Sequence, residues 1–215
     1  MTLLGKVLEG NRSFQSTYVK YADKLPSKPR KNLAILTCTD TRLNPIRIFH
    51  INVGDAEILR NAGNKITDDV IRSLTTAIAN GITEIIILGH TDCSLTKLNR
   101  LEVVQALHNL GASLNLTSLI TFNEWLGTFT NEEINVRNQV TRLRSSSAIP
   151  PTMPIHGLLF DVVNGSLKLV VNGYKSLKPV KDTSAIGLLM SLPSLKMPEI
   201  YKGSIFSSLK KQEAK

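Results

Sequence analysis

The chain has 215 residues, 42% of them apolar and 20% charged, with a net charge of +9. Those proportions describe an ordinary globular protein with one sizeable core, and they exclude disorder, collagen and coiled coil. Two cysteines exclude a disulfide-stapled scaffold, and no unbroken apolar run approaches the roughly 18 to 20 residues of a membrane span. The start, MTLLGKVLEGNRSF, is interrupted by Lys6 and Glu9 and lacks the apolar centre of a secretory signal. The expected location is the cytoplasm, where thiols stay reduced or bind metal. The positive charge is uneven: residues 174–215 hold eight Lys against one Asp and two Glu. That stretch has no arginine and few aromatics, so neither nucleic acid nor membrane is an expected partner.

In chain order, Leu3, Leu4, Val7 and Leu8 recur at helical spacing, and Phe14 and Tyr18 extend the same face. Residues 24–31, with two prolines, read as a linker. Leu33–Thr37 is a short apolar run, predicted as a buried strand, and Pro45 lies in the connection after it. Ala56–Leu59 follows the turn Val53-Gly54-Asp55 as a second strand. Thr67-Asp68-Asp69 starts a helix with Val70, Ile71, Leu74, Ala77 and Ile78 on one face, and Asn80-Gly81 ends it. Glu84–Leu88 is a strongly apolar strand, and Thr96–His108 a predicted helix. Thr130 to Glu133 reads as a capping box for a helix carrying Val136, Val140 and Leu143. Ile155–Val163 and Leu167–Val171 are two strands joined at Asn164-Gly165. The pattern predicts an α/β fold: a mostly parallel central sheet with an antiparallel edge strand, flanked by helices, behind an N-terminal helical arm. A change of patterning near Gly173 divides the chain into a domain of residues 1–173 and a basic, partly apolar extension of residues 174–215.

Both cysteines follow apolar strands. Cys38 follows the first, in the string Cys38-Thr39-Asp40-Thr41-Arg42; His90 and Cys93 follow the third, in Gly89-His90-Thr91-Asp92-Cys93. In open α/β sheets ligands gather beyond the carboxyl ends of strands, so neighbouring strands would bring the three to one point. Two sulfurs and one nitrogen suit tetrahedral Zn²⁺, and three protein ligands leave the open position of a catalytic site. The bland alternative is that buried free cysteines are ordinary packing residues. Asp40 and Arg42 lie two residues apart just past a strand and share a face if the backbone stays extended. An arginine can hold a carboxylate bidentately and keep it ionised; as a surface ion pair it is worth little.

Those strings, with Gly54-Asp55-Ala56, Arg60-Asn61-Ala62-Gly63-Asn64 and the opening Leu8-Glu9-Gly10-Asn11-Arg12-x-Phe14, resemble the β-class carbonic anhydrases. Glu133-x-Asn135-Val136 and Ile155-His156-Gly157-Leu158 resemble the compact archaeal-type members, and the likeness covers about residues 1–173. The resemblance implies one Zn²⁺ per subunit on Cys38, His90 and Cys93, and Asp40 paired with Arg42 in the active state. In some relatives the aspartate takes the fourth zinc position instead. It also implies a homodimer or higher homo-oligomer with sites at the subunit interface, and a substrate pocket lined by Asn61, Ala62, Gly63 and Ser94. The implied reaction is reversible hydration of carbon dioxide to bicarbonate by zinc-bound hydroxide. The alternative is hydrolysis of carbonyl sulfide or carbon disulfide to hydrogen sulfide at the same site; all three substrates are small and linear. Ser94 stands where the family usually has glycine, which bears on substrate more than on metal. His50, His108 and His156 are proton-shuttle candidates only by elimination. The extension, with Leu188, Leu189, Leu192 and Phe206 among its apolar residues, is expected to pack on a neighbouring subunit or cover a pocket mouth.

Overall fold

The structure, a computed structural model, describes residues 1–112 and 119–176. The role expected for the C-terminal extension therefore falls almost wholly on residues outside that description. Five strands, β1 (Leu33–Cys38), β2 (Ala56–Asn61), β3 (Glu84–His90), β4 (Ile155–Phe160) and β5 (Leu167–Val171), form one sheet in the order β2-β1-β3-β4-β5. The first four are parallel and β5 runs antiparallel to β4. The α/β fold with its antiparallel edge is thus as predicted.

The helices are α1 (Leu3–Tyr18), α2 (Pro45–Ile48), α3 (Asp68–Ala79), α4 (Arg100–Asn109), α5 (Leu119–Leu126) and α6 (Glu132–Arg144). Thr67 caps α3 by accepting from the Val70 N–H. The buried side chains of α3 (Val70, Leu74, Ala77) and of α6 (Val140, Leu143) pack with Ala34, Leu36, Ile85, Ile87 and Ile155 of the sheet in one core. Burying such side chains stabilises the fold by roughly 1.5 to 3 kcal/mol each, before conformational entropy is counted. Two sheet glycines let α6 come close: a Cβ on Gly89 would lie 2.4 Å from Val136 Cγ2, and one on Gly157 2.8 Å from Val136 Cγ1.

Several boundaries differ from the sequence reading. Strands β2 and β3 run to Asn61 and His90, beyond the apolar runs, because backbone pairing continues past them. The connection after β1 contains a short helix, with Pro45 at its first position and Asn44 as its cap. The helix predicted from Thr96 begins only at Arg100, where the Asn99 side chain accepts from the Leu101 N–H. The capping box is also displaced: Asn131, not Thr130, caps α6, and Glu133 is engaged with Arg137 and Lys168. Asparagine is the stronger cap of the two. Strand β4 stops at Phe160 because the Asp161 carboxylate accepts from Val163 and Asn164 N–H groups and folds the chain into a loop. Helix α1 forms as predicted, yet no residue in it is buried. Among the described residues, no helix is long and apolar enough to cross a membrane.

Candidate metal centre

Cys38 and His90 are the last residues of adjacent parallel strands, with Thr37 paired to Leu88. Past His90 the chain turns through Asp92, whose φ is +56°, and returns Cys93 to the same point. The ligand atoms of Cys38, His90 and Cys93 lie within 4.8 Å of one another, and all three residues are buried. His90 Nδ1 is 2.9 Å from the Thr91 carbonyl oxygen. A carbonyl only accepts, so Nδ1 carries the hydrogen and Nε2 presents a lone pair. That Nε2 is buried and has no hydrogen-bond partner among the described residues. Leaving such a group unsatisfied is costly unless something binds it. Two sulfurs and one orphaned imidazole nitrogen in a buried triangle fit Zn²⁺, with a fourth position left over.

The sulfurs are electrostatically unequal. A hydrogen bond from Cys93 holds the Cys38 thiol far below its usual pKa, aided by His90 and by the Gly63 and Asp40 backbone. The same bond, with burial, pushes Cys93 up. Burial pulls His90 down, but the neighbouring Cys38 sulfur outweighs it and raises the net value. The Gly63 N–H donates to Cys38 Sγ over 3.3 Å. Gly63 has φ +74°, and a Cβ there would lie 2.5 Å from Leu95 Cδ1, so this loop position requires glycine.

Asp40 and Arg42 are paired, but not because the backbone stays extended. The chain turns, with the Leu43 N–H donating to the Asp40 carbonyl, and this folds both side chains together. Asp40 Oδ1 accepts from Arg42 Nε at 3.0 Å and from the Arg42 backbone N–H at 2.9 Å, while Oδ2 accepts from Nη2 at 2.7 Å. These bonds hold the Asp40 carboxyl down at about 2. Arg42 also donates to the Asp92 carboxylate at 2.9 Å and to its carbonyl at 3.0 Å. Lys97 closes on Asp92 from the other side. Arg60 donates to the Cys38 and Asp40 carbonyls at 3.1 and 2.7 Å, tying β2 to the strand end that carries both residues.

A cavity of about 390 Å³ opens here, lined by Cys38, Asp40, Arg42, Ala62, Gly63 and Ser94 among others. Asn61 does not line it. Its amide instead fastens the loop, donating to the Lys65 carbonyl at 2.7 Å and accepting from the Lys65 N–H at 2.8 Å. His50 and His108 are exposed and off the cavity wall. His156 is buried, accepts from the Gly173 N–H at 3.0 Å, has Nε2 2.9 Å from Glu84, and does not line the cavity. Sequence reasoning gave no role to Lys65, Gln139 or Asp92, and Arg60 and Asn135 entered only as parts of motifs. Their contacts reach across the fold, and a lone polar residue in the sequence carries no sign of such a partner.

Comparison with known proteins agrees with this geometry. The sequence profile of the family described as Carbonic anhydrase matches residues 33–167. Beta-carbonic anhydrase 1 of Mycobacterium tuberculosis is 31% identical over 173 residues, covering 79% of this chain and 99% of that protein. A carbon disulfide hydrolase of Saccharolobus solfataricus is 32% identical over 158 residues, covering 64% of this chain and 76% of that protein. The crystal structure of β-carbonic anhydrase isoform I from Trichomonas vaginalis superposes with a TM-score of 0.71 at 28% identity, covering 81% of this chain and all of that one. A largely parallel sheet bears, at its carboxyl edge, a Cys-His-Cys group that could hold a metal ion. The chain belongs to the β-carbonic anhydrase family, whose relatives include carbon disulfide hydrolases.

Proposed function

We propose that the protein catalyses the reversible hydration of carbon dioxide to bicarbonate and a proton, with Zn²⁺ held by Cys38, His90 and Cys93. The observation that carries this reading is the buried, unpartnered His90 Nε2 facing two cysteine sulfurs, beside a cavity whose carboxylate is already held by Arg42. When bound, Zn²⁺ supplies a Lewis acid that makes hydroxide available near neutral pH.

The protein residues do the rest. Thr91 fixes the His90 tautomer so that Nε2 stays a ligand. Arg42 keeps Asp40 ionised, so Asp40 acts only as a hydrogen-bond acceptor and orients the attacking oxygen by its hydrogen. Arg42 bonds to both Asp40 oxygens, and this supports a carboxylate held by the arginine instead of by the ion. Gly63 brings its backbone against Cys38, and Ala62 and Ser94 bound the space for a small linear substrate. Carbon disulfide or carbonyl sulfide fits the same description, and the relationship to carbon disulfide hydrolases supports that second reading. Attack on these carbons releases hydrogen sulfide, with water supplying the oxygen.

The test pairs stopped-flow carbon dioxide hydration with sulfide release from carbonyl sulfide and carbon disulfide, on metal-quantified protein with a Cys93→Ser control. Hydration that tracks zinc content and collapses at least a hundredfold in Cys93→Ser establishes the anhydrase. Sulfide release with feeble hydration moves the function to the sulfur substrates. Neither activity in zinc-loaded protein defeats both readings.

A further inference from the structure

Next to the Gly63 loop, and absent from the cavity lining, is a charged side chain that the proposed reaction does not use. Lys65 follows the Asn61–Asn64 turn and points inward. Its Nζ donates to Asn135 Oδ1 at 2.7 Å and sits 4.7 Å from the centre of the Phe129 ring. Its stem packs so closely on Gly127 that a Cβ there would lie 3.0 Å from Lys65 Cε. Taking an ammonium from water is costly, and burial lowers its pKa. Such a cation is retained for its contacts, and those contacts run in one direction.

Asn135 Oδ1 accepts twice, from Lys65 Nζ and from Gln139 Nε2 at 3.1 Å. An ammonium only donates, so it fixes the oxygen side of the amide. The amide nitrogen is thereby turned to the Gly63 carbonyl, to which it donates at 3.0 Å. The same peptide loop then presents the Gly63 N–H to Cys38 Sγ. Gln139 holds the chain just past Lys65, accepting from the Ile66 N–H at 2.9 Å. Contacts thus run in relay from the half-buried Lys65 charge through Asn135 and Gly63 to the Cys38 sulfur.

We propose that Lys65 is a positioning residue of the metal centre, acting through Asn135 and Gly63 to hold a backbone N–H on the Cys38 sulfur. This rests on the metal reading above. A hydrogen bond to a ligating sulfur changes how much charge that sulfur gives the metal, and partners of this kind change metal affinity by roughly ten- to a hundredfold.

The experiment uses the full chain loaded with Co²⁺, whose sulfur-to-metal charge-transfer band reports on the cysteine ligands. Wild type, Lys65→Met, Asn135→Ala and the double variant are compared for band position, rate of Co²⁺ loss to a chelator, and Tm. Methionine keeps the length of lysine and removes the half-buried charge, so Lys65→Met is expected to fold with a Tm no lower than wild type. Its charge-transfer band moves nonetheless, and it loses Co²⁺ about tenfold faster. Asn135→Ala gives the same spectral change, and the double variant is no worse than either single one, as expected for members of one relay. An unmoved band with unchanged Co²⁺ loss in Lys65→Met overturns the proposal, as do additive effects in the double variant. Failure of the wild type to take up one Co²⁺ overturns the metal reading itself, and the proposal with it.

Discussion

Asp40 is the residue on which the chemistry and the acid stability of the site meet. Its folded pKa of about 2 lies below the ordinary 3.8 because Arg42 bonds to the ionised form. The pairing therefore stabilises the fold above the unfolded pKa, near 4, and the contribution is lost as pH falls through about 2. Asp40→Ala is expected to lower urea stability at pH 7, and the gap to wild type to close as the pH approaches 2. For activity, Asp40→Asn keeps the size but weakens acceptance of a hydrogen bond. Its kcat/KM should fall roughly a hundredfold with zinc content unchanged, and a fall below threefold would remove Asp40 from the mechanism. Cys38, His90 and Cys93 were legible in the sequence because apolar runs end beside them. Lys65, Asn135 and Gln139 were not, because Lys65 meets its partner 70 residues further along the chain.

At the scale of elements, the close approach of α6 to the sheet decides where the relay residues stand. Val136 sits over Gly89 and Gly157, and its neighbour Asn135 thereby reaches the Gly63 loop. Gly89→Ala forces a methyl group to 2.4 Å from Val136 Cγ2 and is expected to cost about 1 to 3 kcal/mol. Adding Val136→Ala opens the space and should restore part of that loss in a urea titration. If the double variant is simply worse, the contact is not the cause. Strands β1 and β3 could be read from composition because their buried faces need continuous apolar residues. Helix α2 could not, because a four-residue turn has no period to detect. Helix α5 carries no part of the sequence reading either.

For the whole molecule, the N-terminal arm is, among the described residues, the longest stretch of exposed apolar side chains. Leu3, Leu4, Val7 and Leu8 are all more than half exposed, and Phe14 nearly so. A contiguous apolar stripe of that kind marks an interaction surface. A homodimer that covers it is our expectation. Sedimentation should give at least two chains per particle, and the pair Leu4→Glu and Val7→Glu should shift the protein toward monomer. A wild-type protein that stays monomeric at micromolar concentration would remove that expectation.

The paired register of β1 and β3 carries one more consequence. Side chains on a strand alternate between faces, so sliding β1 by a single residue against β3 turns the Cys38 sulfur to the opposite side of the sheet. The slipped strand, Leu33–Cys38, would still be apolar and would still pair, so burial alone discriminates weakly against the error. The Cys-His-Cys triangle does not tolerate it. An ion held by that triangle would act as a ruler for the fold, favouring the one alignment of these two strands that brings the sulfurs within reach of it.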